Sequence, residues 1–206
     1  MRAGEKLKAS DGYEVLLFPL EYLYMSQDEG GDYSHLYTYS IDFLGWGTNG
    51  RIYHCPYYAP CTCKCVATYG SGRVFQSVDK VHTADGYFGI ITFACHHDNT
   101  PVSPSSHIYQ QGDLIGHTGT AGNVTGDHLH LNVAHGTYQG YYDVGTGHYQ
   151  LKNSVHIYDT MYVNNTTIVK GYNHNWITYN GGITPIIKKY KFKWVLYANK
   201  LRNGGR

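Results

Sequence analysis

His128 and His130 stand two apart in the run Asp127-His128-Leu129-His130-Leu131. On a strand such residues share a face, so their imidazoles point the same way. Side by side they can serve one metal, or one can bind metal while its neighbour handles a substrate. Glycines at 112, 116, 119, 122 and 126 precede the pair. No Lys-Ser or Lys-Thr follows them and the next segment reads as a strand, which excludes a phosphate cradle. They let a loop run close under an extended substrate, or make turns.

With thirteen histidines in the chain, one such pair arises easily by chance, and its surroundings must discriminate between scaffolds. A cupin wants a Glu shortly after the pair. Glu occurs only at positions 5, 14, 21 and 29, so every later side-chain carboxylate is an Asp. An amidohydrolase barrel wants the pair near the start of a much longer chain. No His is followed by Glu, which excludes the helical HExxH signature.

The elements that must carry these residues read as short strands. Apolar and aromatic residues recur in brief runs broken by Gly, Asn and Asp, without a sustained helical period. Strands are expected at 14–18, 40–43, 63–69, 73–78, 88–95, 113–117, 128–133, 156–163 and 191–197, in an all-β fold. At 206 residues the chain can bury a full core. Charged residues make up 15% with net charge +1, so no whole-protein field favours nucleic acid.

The apolar run 15–20 is short, contains Pro19 and is followed by Glu21, unlike a signal peptide or membrane span. The expectation is a chain with neither. Cys55, Cys61, Cys63, Cys65 and Cys95 are odd in number, which argues against a disulfide framework. Cys61, Cys63 and Cys65 alternate and with Cys55 could form a thiolate zinc site. Such sites usually use CxxC on turns, so buried free thiols are the expected state. From Thr160 onward there is no acidic residue and eight Lys or Arg. This reads as a solvated edge strand and tail whose lysines discourage edge pairing. The alternative is a basic foot for anionic wall polymer or a partner protein.

The glycine loop running into His128-Leu129-His130 resembles the lysostaphin-type (LytM-like) zinc endopeptidases. Tyr58-Ala59-Pro60 followed by the 63–69 strand resembles the family's Ala-Pro turn and strand, and 90–97 its strand ending in a catalytic His. The likeness covers roughly 32–133. His97-Asp98-Asn99 and the Tyr33-Ser34-His35 start of the metal motif are most similar to phage-encoded members associated with tails or acting as endolysins. The fold so implied is an antiparallel sheet with a narrow groove, of the duplicated hybrid motif type, with extra loops and C-terminal strands. A zinc endopeptidase domain would occupy 1–165 (core 32–135), with a basic extension at 166–206.

The resemblance implies that His35, Asp42 and His130 hold Zn2+ while His97 and His128 stay unligated and catalytic. In the family, the first ligand usually stands four residues before the Asp. That position here is Thr38, which cannot replace an imidazole, so a loop longer by three residues must deliver His35. Three ligands with one open position mark a catalytic zinc. Without a Glu near the motifs, imidazole takes the acid–base role, for which its pKa suits it. His96 adjoins His97 and strand neighbours face opposite ways, so one enters the cleft. His97 is chosen because Asp98-Asn99 follow it, with His96 as the alternative. Histidines 54, 82, 107, 117, 135, 148, 156 and 174 receive no role.

The implied substrate is a stem or cross-bridge peptide of bacterial peptidoglycan, with Tyr33, Tyr37 and Tyr39 as candidate lining. The implied setting is a virion tail, or release from the host cytoplasm to the wall, with other tail proteins as partners. The competing readings are a catalytically inactive zinc-bearing tail or wall-binding module, and a lectin-like domain. The latter would leave the His and Asp set unexplained.

Overall fold

Apolar residues at every second position build one large sheet with two unlike faces. The computed structural model describes residues 1–145 and 147–181; the expected 191–197 strand and most of the basic tail lie outside them. The sheet contains β1 (Tyr22–Gln27), β2 (Ile41–Phe43), β3 (Cys63–Tyr69), β4 (Gly72–Ser77), β5 (Ile91–His96), β6 (Leu129–His135), β7 (Ser154–Val155) and β8 (Thr167–Lys170). Across it the order is β8-β1-β2-β6-β5-β4-β3, and β7 also pairs with β6. Every pairing is antiparallel except β1 with β8. The all-β class is thus observed.

One face carries the core. Ile41 and Phe43 of β2, Cys63 and Cys65 of β3, and Phe75 of β4 bury on it with Ile91, Phe93 and Cys95 of β5 and Leu129, Leu131 and Val133 of β6. The Phe75 and Phe93 rings stack at 5.1 Å. The intervening positions form the opposite face. There Val74, Ala94, Ala134 and Leu151 make a small apolar patch, and Asp42, His96, His128 and His130 continue the same alternation toward the strand ends.

The expected strands at 40–43, 63–69, 73–78, 113–117 and 128–133 are present within a residue or two of their observed bounds. The 88–95 segment divides into Phe88–Gly89 and β5. Two expectations need correction. Residues 14–18 make only isolated bridges, Glu14 to Lys8, Val15 to His82 and Leu17 to Tyr162, because the backbone N–H groups of Leu16, Leu17 and Phe18 bond in turn to His82, Pro60 and Tyr162 rather than to one partner strand. Residues 156–163 contain a one-turn helix, Ile157–Thr160. Ile157, Thr160 and Met161 are fully buried, a spacing of three and four that suits a helical turn rather than a strand. Conversely, β1 was not expected, although Leu23 and Met25 alternate into the core.

All five cysteines are free and buried. Among the described residues they do not gather three ligand atoms at one point, as only one His and Asp group does. The same residues contain no helix long and apolar enough to cross a membrane.

Candidate metal centre

Asp42 on β2 lies directly opposite His130 on β6, so the pairing register brings a carboxylate and an imidazole to the same point of the polar face. His130 Nδ1 is 2.9 Å from Asp42 Oδ1. His35 arrives from a single 3-10 turn, Tyr33–His35. Its Nε2 lies 3.1 Å from Asp42 Oδ1 and 3.1 Å from His130 Nδ1. These are the three side chains among the described residues whose ligand atoms converge as a metal site requires. The donor set, two imidazoles and one carboxylate, is one that zinc accepts with an open fourth position.

Electrostatics agree with that use. Burial raises the Asp42 carboxyl, but the adjoining His130 and His35 rings outweigh it and hold the group well below the usual carboxylate range. Burial pushes the His130 imidazole down, opposed by Asp42. Asp42 is therefore ionised at neutral pH and His130 has a lone pair to give.

His35 is fully buried. Its second nitrogen, Nδ1, donates to the backbone carbonyl of Asp28 at 2.8 Å. Such a bond fixes the ring orientation and leaves Nε2 free to act as a ligand.

His97 and His128 flank this group, their ring centres 4.6 Å apart. His128 Nδ1 donates to the Gly126 carbonyl at 2.8 Å, and its Nε2 is 3.5 Å from Asp42 Oδ2. His97 Nδ1 donates to the Ala121 carbonyl at 2.8 Å, with Ser71 Oγ at 3.2 Å. Burial lowers the His97 pKa to about 4, with the neighbouring His128 and His130 adding to the effect. His97, so held and neutral, presents an unprotonated Nε2, and the Gly126 bond turns the His128 Nε2 toward Asp42.

The glycine loop supplies both of those carbonyls. Gly119 pairs with His128 through two backbone hydrogen bonds, of 3.0 and 3.1 Å. A Cβ at Gly119 would run into the His97 carbonyl oxygen and the Asn99 side chain. At Gly119 the glycine thus permits close approach to the protein's own backbone, a role the sequence did not distinguish from approach to a substrate. Asp127 anchors the loop's end, accepting from Thr118 Oγ1 and from the His54 backbone N–H.

His96 and His97 both lie beside His130, with ring centres 5.3 and 5.9 Å from it. Strict alternation expected only one there. His97, however, sits past the end of β5 with φ +81°, and this left-handed residue turns its side chain back to the face that His96 already occupies. His96 lies over Gly72, where any Cβ would strike its ring, and its Nε2 is 3.3 Å from Tyr141 Oη. Tyr37 and Tyr39 are exposed, and Tyr39 lies against His156; the Tyr33 side chain is outside the described ones.

No protein-family model matches the chain. It is 37% identical over 180 residues, 83% of its length, to morphogenesis protein 1 of Bacillus phage B103. That relative is a phage protein. The chain covers 46% of it and so spans about half the length of the curated relative it matches. Among solved structures it is similar to a zinc containing peptidase from Vibrio cholerae, at 15% identity, covering 73% of this chain and 44% of that one, with TM-score 0.44. It is also similar to pseudoalterin, an M23 metalloprotease from the deep sea, at 16% identity, covering 81% and 92%, with TM-score 0.41. A third is Csd3 of Helicobacter pylori, at 18% identity, covering 63% and 35%, with TM-score 0.36. At these scores the likenesses assign no activity to this chain.

Proposed function

We propose that the chain is a zinc metallo-endopeptidase that hydrolyses peptide bonds of bacterial peptidoglycan, phage-encoded, and acting as a tail-associated lysin or endolysin domain. The observation that carries the reading is the meeting of His35, Asp42 and His130 at one point, flanked by two further imidazoles whose Nδ1 atoms are tied to loop carbonyls. A structural zinc site is closed by four protein ligands, whereas a catalytic one has three and keeps neighbouring acid–base groups. The 37% identity to a phage protein supports the phage setting.

Bound zinc would supply Lewis acidity toward a water and the scissile carbonyl. The chain's own part is to take and return protons. His97, neutral because burial lowers its pKa, has an Nε2 able to accept one, and His128 holds its Nε2 beside Asp42. An imidazolium formed there can donate to the leaving amine or stabilise negative charge on the carbonyl oxygen. Their Nδ1–H groups, tied to Ala121 and Gly126, fix the tautomer that this requires.

The test is release of new amino groups from purified cell walls. Release should depend on zinc, stop with a chelator and stop in His130→Ala. Activity in a zinc-free His130→Ala protein would refute the metal assignment. Wall binding without any amine release would instead favour an inactive wall-binding module.

A further inference from the structure

His35 is the one of the three metal ligands that no strand carries, since it lies on a 3-10 turn within the 28–40 loop. Two adjacent acidic residues at the start of that loop reach across to distant segments. Asp28 accepts from His174 Nε2 at 2.8 Å through both carboxylate oxygens. Glu29 accepts from His156 Nδ1 at 2.7 Å and from the Tyr158 hydroxyl at 2.7 Å.

The aromatic rings close this into one unit. Tyr158 stacks on His174 at 3.8 Å, and Tyr39, at the far end of the same loop, lies 4.5 Å from His156. Trp176 then packs edge-on against Phe18 and Phe43 of the core, at 5.6 and 6.2 Å. The carbonyl that orients His35 belongs to Asp28, the residue whose side chain His174 grips. The path from the core to the ligand therefore runs Trp176, Tyr158 and His174, Asp28, His35.

We propose that His156, Tyr158 and His174, with Asp28 and Glu29, are positioning residues for the metal ligand His35. The proposal rests on the zinc reading given above. A ligand four residues before Asp42 would be held by the turn into β2. One seven residues before it, on a loop longer by three, needs an external support, and the 156–176 segment provides it. None of these five residues falls within the 32–133 region that resembles the peptidase family. Outer partners of this kind typically change metal affinity by about 10- to 100-fold when removed.

The experiment measures zinc affinity of the full chain by competition with a chromophoric chelator, together with the visible absorption of the cobalt-substituted protein. Variants are Glu29→Gln, His156→Gln, His174→Gln and Tyr158→Phe. The last removes only a hydroxyl and keeps the ring stack, should the others fail to fold. His82→Gln is the control, because it breaks a comparable 2.8 Å pair with Asp11 far from the site. The expected result is zinc bound about 10-fold or more weakly in the Asp28 and Glu29 cluster variants, with an altered cobalt spectrum, and neither change in His82→Gln. Wild-type affinity and spectrum in folded Tyr158→Phe and His156→Gln overturn the proposal. Equal weakening in His82→Gln also overturns it, because general destabilisation would then explain the loss. If the wild-type chain itself binds no zinc, it is the underlying metal reading that fails.

Discussion

His97 and His128 lie 4.6 Å apart, ring centre to ring centre, and each gives its Nδ1 proton to a carbonyl of the same loop, that of Ala121 or Gly126. One short stretch of backbone thus sets the tautomer of two imidazoles that lie at the ends of different strands, just after β5 and just before β6.

Removing either imidazole should abolish proton transfer and leave the metal in place. His97→Ala and His128→Ala are each expected to reduce amine release from cell walls by about 10²- to 10⁴-fold, with zinc content unchanged. His96→Ala, which loses its ring packing on Gly72 and a contact to Tyr141 Oη, is expected to stay within about tenfold of wild type, since this ring neither holds the metal nor carries the proton in the proposed scheme. A silent His97→Ala with a dead His96→Ala would exchange the two assignments.

Stability of the metal-free protein should fall as the solution is acidified. Burial places His96, His97 and His130 below the ordinary imidazole value, His97 at about 4. Between about 6.5 and 4 the unfolded chain therefore binds protons that the folded chain does not, which favours unfolding. Depressed Asp42 adds to this only below about 3.8, where its contribution is lost as pH falls. Urea midpoints measured from pH 8 to 4 should decrease, and His97→Gln should decrease less steeply. A midpoint that rises over that range would contradict the burial of these rings.

Gly119→Ala forces a methyl group against the His97 carbonyl and Asn99. Backbone on one side cannot yield as a side-chain tip can, so a loss of about 1–3 kcal/mol is expected. Because the same shift moves His128 through its paired hydrogen bonds, wall hydrolysis should fall further than stability alone explains. Equilibrium unfolding and initial rates on the same preparation separate the two effects.

The cysteines should behave as core residues. Burial pushes the thiols of Cys61, Cys63 and Cys95 well above their ordinary pKa. Native protein should react with a thiol-specific disulfide reagent far more slowly than unfolded protein. Metal analysis should give one zinc per chain, unchanged in Cys63→Ala. Two zincs, one of them lost with Cys63, would restore the thiolate site.

Several elements of the molecule were written locally in the chain. Alternation alone placed Cys63–Tyr69 as a strand and put His128 and His130 on one face, because side chains of an extended backbone repeat every two residues. The same rule misassigned 156–163, where the burial of Ile157, Thr160 and Met161 follows a helical step set by the neighbours they pack against. It also excluded one of His96 and His97, since a positive φ at the end of β5 cannot be read from residue types. Resemblance to a peptidase family, rather than spacing alone, pointed to the residues that could bind metal or carry protons. Only tertiary structure decided that His35 reaches Asp42, and that Asp28 and Glu29 meet His174 and His156 across more than a hundred residues. Local preference governs backbone direction over a few residues, whereas a metal centre needs atoms from distant segments within a few ångströms, and only the packed sheet and its register supply that.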